Sequence, residues 1–335
     1  MHDLKKKILP SAKNNFNSLI YSLLLLLSFV NYIYSDDNVD YIRYKNLNGV
    51  KYVYLSDLAK YYGMSLRTKN DGCEIRKGNT YFSFTFEKRA GNFSGIGINY
   101  LYPPVHISGQ SLVSELDYRR IIIPLLTPAY GITPKRIKNI VIDPGHGGKD
   151  NGAQTLYKEK DINLSISLKL QNELTKRGYK VFLTRSNDRG LELEDRTAFA
   201  KKVNADIFIS IHCNATSNRY IRGIETFCLT PEGAPSTSDK KPSSTFLKGN
   251  SFNNQNIFLA YLVQRFLIGN TATIDRGIKH ARFVVLKTAP CPAVLVECGF
   301  LTNNWEMKNL AWTKYQQAIA ESIAQAVTYY SNTIK

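Results

Sequence analysis

Residues 140–148 read Ile-Val-Ile-Asp-Pro-Gly-His-Gly-Gly, a short apolar strand that runs straight into a polar, glycine-rich loop. Three β-branched residues favour a buried strand, and the proline and glycines end it. In α/β proteins, ligands bind just beyond the carboxyl ends of such strands. The stretch therefore predicts a sheet edge with a functional loop, and His146 stands in that loop.

Downstream of this strand, the sequence alternates between helical and extended patterns. Residues 161–176 place apolar side chains four positions apart and are followed by Gly178, which is typical of a helix and its end. Further helices are predicted at 193–203, 257–267 and 312–330, and further strands at 181–183, 207–211, 224–229, 283–286 and 293–296. This alternation predicts an α/β fold, a mostly parallel twisted sheet flanked by helices on both faces.

Upstream of the strand, residues 40–126 are rich in Tyr, Val and Ile in short alternating runs, which predict a smaller β-rich domain. A faint repeat relates its two ends, where a glycine, a valine and an aspartate recur with equal spacing: Gly49, Val53 and Asp57, then Gly109, Val113 and Asp117. Pro and Gly residues in 127–137 indicate a linker. We therefore predict a second, larger domain over 138–332.

The first 35 residues have the pattern of a targeting segment. Lysines at positions 5–7 precede an apolar run over 19–30, which suits a signal-peptide core better than a membrane span. Ser35 is a plausible cleavage point, but Ile33 is not the small residue that cleavage favours. A signal peptide and an uncleaved N-terminal anchor are both open. Either one predicts an exported protein of the periplasm or cell envelope.

The chain is strongly basic, with a formal net charge of +17. Such a charge attracts polyanions, or simply maintains solubility. The sequence contains no recognisable nucleic-acid-binding module, so we expect no nucleic-acid partner. Contact with the wall or a membrane surface and a simple contribution to solubility both stay open. The five cysteines are an odd number without closely spaced pairs, and we predict that most are buried core residues.

Four acidic or imidazole side chains stand at strand ends or beside them. His146, His212 and Glu297 each follow a predicted strand, and Glu159 lies just before the first helix. Two neutral imidazoles and one carboxylate suit a catalytic zinc ion, which keeps one position for water and lowers its pKa to about 7. A second carboxylate then serves as general base and acid. Composition alone does not separate zinc from another metal.

The motif at 140–148 resembles the opening motif of the zinc-dependent N-acetylmuramoyl-L-alanine amidases of the amidase-3 family. Further matching segments follow in family order, at Glu159 with 163–164, at 184–185 with 195–196, and at 210–215, 275–279 and 292–303. The resemblance implies zinc ligands at His146, Glu159 and His212, and a catalytic role for Glu297. It implies hydrolysis of the amide between N-acetylmuramic acid and L-alanine in peptidoglycan, for wall remodelling or daughter-cell separation.

Two residues in matching segments, Asn214 and Arg276, are candidates for substrate contact; a structural hydrogen bond or a surface charge is the alternative for each. Some family members carry a helical plug that an activator protein removes, but the corresponding stretch here, 231–250, is short and polar. We therefore expect an activator to be possible but not required. Cys213 and Cys298 follow two of the site residues, and strand alternation predicts that they point away from the metal.

The N-terminal region 40–126 loosely resembles the small duplicated stalk domains that precede bacterial wall hydrolases, so we predict a stalk-like or wall-binding role for it.

Two other classes of function compete with the amidase. One is a wall-binding scaffold with an inactive site, although all four expected groups are present. The other is a serine acyl-enzyme, because residues 238–241 match Ser-x-x-Lys. That nucleophile belongs at a helix start, whereas Ser238 lies in a loop rich in Ser, Pro and Lys. A Ser-His-Asp hydrolase is disfavoured because no Gly-x-Ser-x-Gly segment occurs.

Overall fold

The computed structural model describes residues 42–239 and 241–335. The predicted targeting segment lies outside these residues. None of the helices in the described part of the chain combines the length and apolar character needed to cross a membrane.

The strands of the described residues fall into an N-terminal set and a C-terminal set. The N-terminal strands are β1 Tyr44–Leu47, β2 Val50–Tyr54, β3 Ser65–Lys69, β4 Gly72–Lys77, β5 Thr80–Thr85, β6 Ala90–Phe93, β7 Ile96–Asn99, β8 Val105–Ile107 and β9 Gln110–Ser114. The C-terminal strands are β10 Asn139–Pro144, β11 Lys180–Leu183, β12 Ile207–Asn214, β13 Ile224–Leu229, β14 Asp275–Ala281 and β15 Ala293–Phe300.

The helices concentrate in the C-terminal part. In chain order they are α1 Leu55–Tyr61, α2 Glu115–Asp117, α3 Ile123–Leu126, α4 Glu159–Lys176, α5 Leu193–Lys202, α6 Asn253–Thr271, α7 Val284–Lys287, α8 Asn304–Leu310 and α9 Thr313–Thr333. A π-helical turn, Tyr118–Ile122, joins α2 to α3, and a 3₁₀ turn, Lys248–Phe252, precedes α6.

The large sheet has eleven strands in the order β11-β10-β12-β15-β13-β14-β7-β6-β5-β4-β3. The strands β11, β10, β12 and β15 are parallel, as predicted. The eleven-stranded sheet as a whole is mixed, however, so the prediction of a mostly parallel sheet is not confirmed. β13 runs antiparallel to β15, and the N-terminal hairpins β3 to β7 add a fully antiparallel edge.

The parallel part of the sheet separates two apolar cores. Ile140 and Ile142 of β10 lie in the core that also contains residues of α4, α6 and α9. Val141, between them, lies in the other core with Ala200 of α5 and Leu286 of α7. Because successive strand side chains point to opposite faces, this division confirms helices on both faces of the sheet.

The predicted repeat corresponds to two similar hairpin-and-helix units. β1 and β2 turn at Gly49 and lead into α1, whereas β8 and β9 turn at Gly109 and lead into α2. Both glycines have positive φ, 79° and 74°, a region that favours glycine. Val53 pairs directly with Val113, so the two units meet in a small sheet of order β1-β2-β9-β8.

The N-terminal strands join the large sheet where β7 pairs with β14, through Ile98 and Ile278. The Asp275 carboxylate accepts the amide of Gly97 at 2.7 Å and the amide of Gly277 at 2.8 Å. A side chain at Gly277 would overlap the Gly97 backbone, so the two strands meet at unusually close range. Strands from both predicted domains therefore share one sheet, and the limits 40–126, 127–137 and 138–332 stay a prediction.

The predicted strand at 283–286 is wrong. These residues form the short helix α7, in which the amides of Leu286 and Lys287 both donate to the Phe283 carbonyl. Val285 and Leu286 are nevertheless buried in the core that contains Val141. A four-residue apolar run is compatible with a strand or with one helical turn. Here the apolar side chains are buried by forming one helical turn.

Candidate active site

The loop after β10 holds His146 in a conformation that most residues avoid. Its φ is 62°, in the left-handed region. Arg196 of α5 donates Nη2 to the His146 carbonyl at 3.0 Å. The amide of Gly147 donates to the Asp150 carbonyl at 3.0 Å and closes the turn. The surrounding contacts therefore fix a backbone that would be unfavourable in isolation.

A buried polar network beneath the loop explains this fixation. Asp143 is fully buried and accepts Arg196 Nη1 at 2.8 Å. The same carboxylate accepts the hydroxyls of Thr184 at 2.6 Å and Ser210 at 2.8 Å. Arg185, also buried, donates to two backbone carbonyls of the loop. Buried charges need partners of this kind, so several separate segments of the chain converge on the loop that carries His146.

The three predicted ligands come together. The structure places one nitrogen of His146, one nitrogen of His212 and one oxygen of Glu159 within 4.8 Å of one another. Glu159 Oε1 lies 3.1 Å from His146 Nε2 and 3.1 Å from His212 Nδ1. The two rings are 5.0 Å apart between centroids and nearly perpendicular. The lone pairs of two imidazoles and a carboxylate thus face one small volume.

Backbone amides and a helix start fix Glu159 at the bottom of this site. It is the first residue of α4, which begins two residues earlier than predicted, and it is only 4% exposed. Its Oε2 accepts the Ala153 amide at 2.8 Å, and its Oε1 accepts the Cys213 amide at 3.1 Å. Asn163, one helical turn on, donates to Oε1 at 3.2 Å. The carboxylate is therefore oriented by several donors.

The ionisation of the predicted ligands His146 and Glu159 is coupled. Burial opposes the charged form of His146, but hydrogen bonds and the charges of Glu159 and Asp150 raise its pKa to about 9. Burial likewise opposes ionisation of Glu159, but the two histidines hold its pKa well below the usual range. A carboxylate that stays ionised in this buried position favours a cation next to it.

The chemistry and the space of the site fit a zinc ion. Two glycines leave the volume open: a Cβ on Gly145 would overlap the His212 ring, and a Cβ on Gly152 would overlap Glu159 Oε2 and the His146 ring. Nitrogen and carboxylate donors in a two-to-one set are those of catalytic zinc sites. His146 Nδ1 lies 2.7 Å from Asp150 Oδ2, the kind of outer partner that orients a metal-binding imidazole.

Glu297 lies beside the three predicted ligands, on the strand next to that of His212. It pairs with His212 across β12 and β15, and with Glu225 across β15 and β13. Its Oε2 is buried and has no hydrogen-bond partner among the described residues. Burial first, and then the nearby negative charges of Glu159 and Glu225, raise the pKa of Glu297 well above its usual range. An unpartnered carboxyl oxygen with high proton affinity can take up and release a proton.

Sequence reasoning missed Glu225, which organises the far side of the site. It is 2% exposed and accepts Arg276 Nε and Lys279 Nζ on the same oxygen, each at 2.5 Å. Asn214 Nδ2 approaches its other oxygen at 3.4 Å. The only sequence signal was an acidic residue inside an apolar strand. Asn214 and Arg276, the two candidates for substrate contact, therefore meet at one buried carboxylate.

The remaining candidates lie away from this arrangement. Cys213 and Cys298 are buried within the apolar core that also contains α4 and α6, and burial raises the pKa of both thiols. Neither belongs to the group of possible metal ligands. Ser238 lies in an exposed turn rather than at a helix start. The geometry that a serine acyl-enzyme requires is therefore not found around Ser238 within the described residues.

Comparison with known proteins identifies the family of this chain. The family profile described as N-acetylmuramoyl-L-alanine amidase, Amidase_3, matches residues 140–329. The amidase AmiC of Escherichia coli is 33% identical over 219 residues, which are 57% of this chain and 52% of that protein. The amidase AmiA of Escherichia coli K12 is 34% identical over 217 residues, which are 57% of this chain and 75% of that protein.

A solved structure supports the same assignment. The crystal structure of an N-acetylmuramoyl-L-alanine amidase from Clostridium difficile 630 is 34% identical, with a TM-score of 0.50, and the match covers 59% of this chain and 98% of that one. The chain belongs to the N-acetylmuramoyl-L-alanine amidase family, Amidase_3. The resemblance predicted from the motifs is confirmed, while the chain spans only about half the length of AmiC.

Proposed function

We propose that this chain is a zinc-dependent N-acetylmuramoyl-L-alanine amidase that hydrolyses the amide between N-acetylmuramic acid and the L-alanine of the stem peptide. The observation that carries this proposal is the meeting of His146, Glu159 and His212 within 4.8 Å, with Glu297 on the adjacent strand. Family membership supports the same reaction.

In this proposal, His146, Glu159 and His212 would hold the zinc ion. When bound, zinc acidifies water and polarises the carbonyl of the amide. Glu297 accepts the proton of the attacking water at Oε2 and returns it to the departing amine nitrogen. Its isolation from other hydrogen-bond partners leaves that oxygen free for both transfers. The buried network around Asp143 keeps the loop and His146 in place during turnover.

We further propose that no activator is required. The stretch 231–250, where a plug would lie, contains no α-helix or strand among its described residues, and only its end enters the 3₁₀ turn Lys248–Phe252. It is held instead by residues in the connections between the N-terminal strands. Arg89 donates to the carbonyls of Pro235 and Ser236, and Tyr102 donates to the carbonyl of Gly233 at 2.7 Å. Full activity of the purified chain would agree with this, whereas strict dependence on an added partner would contradict it.

The proposal places the enzyme outside the cytoplasm, in the periplasm or cell envelope, where its substrate lies. The net charge of +17 would favour contact with anionic wall or membrane surfaces. A role in wall remodelling or daughter-cell separation is consistent with cleavage of stem peptides. The region 40–126 would then act as a stalk-like or wall-binding unit.

Digestion of purified peptidoglycan tests the reaction directly, with mass analysis of the products. Wild-type protein should release free stem peptides, and chelation of zinc or the substitution Glu297→Ala should stop this release. Ser238→Ala is the control, since it removes the hydroxyl of the competing serine mechanism and should change nothing. Absence of both zinc and peptide release would instead favour a wall-binding scaffold.

A further inference from the structure

The site continues beyond Glu297 in a row of polar residues. His212, Glu297 and Glu225 are paired in register on β12, β15 and β13. Residues paired across neighbouring strands point to the same side of a sheet, and each strand is about 4.8 Å from the next. Arg276 and Lys279 of β14, the following strand, reach back to Glu225. The row therefore leads from the proposed metal site to two cationic side chains.

The Arg276 guanidinium is held in one position from three sides. Its Nε donates to Glu225 Oε1, and its central carbon lies 5.1 Å from the centroid of the Phe300 ring. Gly223 leaves room for its aliphatic stem, because a Cβ there would overlap Arg276 Cγ and Cδ. A guanidinium on an aromatic face with one fixed nitrogen loses little further freedom on binding a ligand.

The outer face of Arg276 is available. Among the described residues, neither of its Nη atoms has a hydrogen-bond partner, and its side chain is 30% exposed. Glu225 does not fully neutralise the positive charge of Arg276, because the same carboxylate oxygen also pairs with Lys279 Nζ. Two cations thus balance one buried anion and leave a net positive charge. Two parallel N–H groups of a guanidinium match the two oxygens of a carboxylate.

We propose that Arg276, held by Glu225, forms an anion subsite for a free carboxylate of the stem peptide. This inference rests on the proposed amidase function. Arg276 extends from β14 toward Glu225 on β13, which places its free nitrogens roughly 5–10 Å along the row from Glu297 at this strand spacing. An extended peptide spans about 3.3–3.6 Å per residue. The carboxylate would therefore belong to the second or third residue beyond the cleaved amide.

Two matched substrates test the subsite. Both are muramoyl tripeptides of one sequence, and they differ only in that the second residue carries a free carboxylate or its primary amide. Wild-type protein should cleave the carboxylate form with a kcat/KM about tenfold or more above that of the amide form, as expected for a charge-assisted hydrogen bond. Arg276→Gln should remove this preference while still cleaving the amide form.

Arg222→Gln is the matched control, since Arg222 also lies over an aromatic ring, that of Trp305, but makes no contact with Glu225. This variant should keep the wild-type preference. Equal cleavage of the two substrates by wild-type protein, or an unchanged preference in Arg276→Gln, would overturn the subsite alone. Cleavage of neither substrate by wild-type protein would overturn the proposed function and the subsite with it.

Glu225→Gln separates positioning from direct contact. The neutral side chain would no longer fix the guanidinium by charge, so the preference for the carboxylate substrate should fall, chiefly through a higher KM for that substrate. The amide substrate should be affected less. An equal change in both substrates would show that Glu225 only maintains the fold.

Discussion

The substitution Gly152→Ala isolates the space that the proposed zinc site requires. Gly152 has a φ of 63°, and a Cβ there would overlap Glu159 Oε2 and the ring of His146. A residue other than glycine in this backbone region costs about 1–2 kcal/mol. The added Cβ must in addition displace either the Glu159 carboxylate or the His146 ring. Disturbing the groups that position a ligand lowers metal affinity about 10- to 100-fold. That loss corresponds to about 1.4–2.8 kcal/mol of binding free energy.

Gly78→Ala supplies the control for backbone strain. Gly78 has a φ of 58°, almost the same, but a Cβ there meets no atom within 4 Å. Both variants should lose a similar stability from strain in thermal unfolding of metal-free protein. Only Gly152→Ala should bind zinc more weakly in a competition titration against a chelator. Unchanged zinc affinity in Gly152→Ala would refute the assignment of His146 and Glu159 as ligands.

Three further substitutions test the framework of the site. Burial, and then the charge of Arg89, lower the pKa of His280 to about 3, so this histidine stays neutral in the folded protein while the unfolded chain protonates it below about pH 6.5. The free energy of unfolding should therefore fall as pH decreases, and the contribution of His280 to this fall is about 2 kcal/mol at pH 5. In urea unfolding, His280→Gln should lose about 2 kcal/mol less than the wild type between neutral pH and pH 5. Arg196→Leu leaves the Asp143 carboxylate without its ion partner and should cost about 3–5 kcal/mol in chemical denaturation, whereas a loss below 1 kcal/mol would contradict the network described above. Gly97→Val forces apart the contact between β7 and β14 and should lower the free energy of unfolding by about 1–3 kcal/mol, with faster proteolysis of the N-terminal strands. Unchanged proteolysis would show that this contact does not stabilise the N-terminal strands.

The part of the site that depends on strand ends could be predicted from the sequence. His146 and His212 each follow a run of β-branched or apolar residues, and parallel strands bring such positions to one edge of the sheet. Glu159 was predicted because it lies just before a clearly periodic helix. The structure brings these three side chains together, and their roles remain a proposal.

Strand β14 and its pairing with the N-terminal strands could not be predicted from the periodicity of apolar residues. β14 contains Asp275, Arg276 and Lys279, so its sequence lacks the apolar pattern of a strand, although it is paired with a neighbouring strand on both sides. Its stability comes from hydrogen bonds to neighbours distant in sequence, including the Gly97 amide. For the same reason the sequence did not indicate that the N-terminal hairpins extend the large sheet. Pairing between distant strands is a property of tertiary structure.

The buried network beneath the loop explains why motifs without catalytic chemistry accompany the ligands. None of Thr184, Arg185, Arg196 and Ser210 belongs to the group of possible metal ligands, yet each donates a hydrogen bond to Asp143 or to the loop that carries His146. The ligand atoms are thus brought together by contacts between protein groups. It follows that zinc affinity should depend on Arg196, although its guanidinium lies outside the group of ligands. A conservative Arg196→Lys variant that folds but binds zinc as tightly as wild type would contradict this coupling, because lysine cannot bond both Asp143 and the His146 carbonyl with the same geometry.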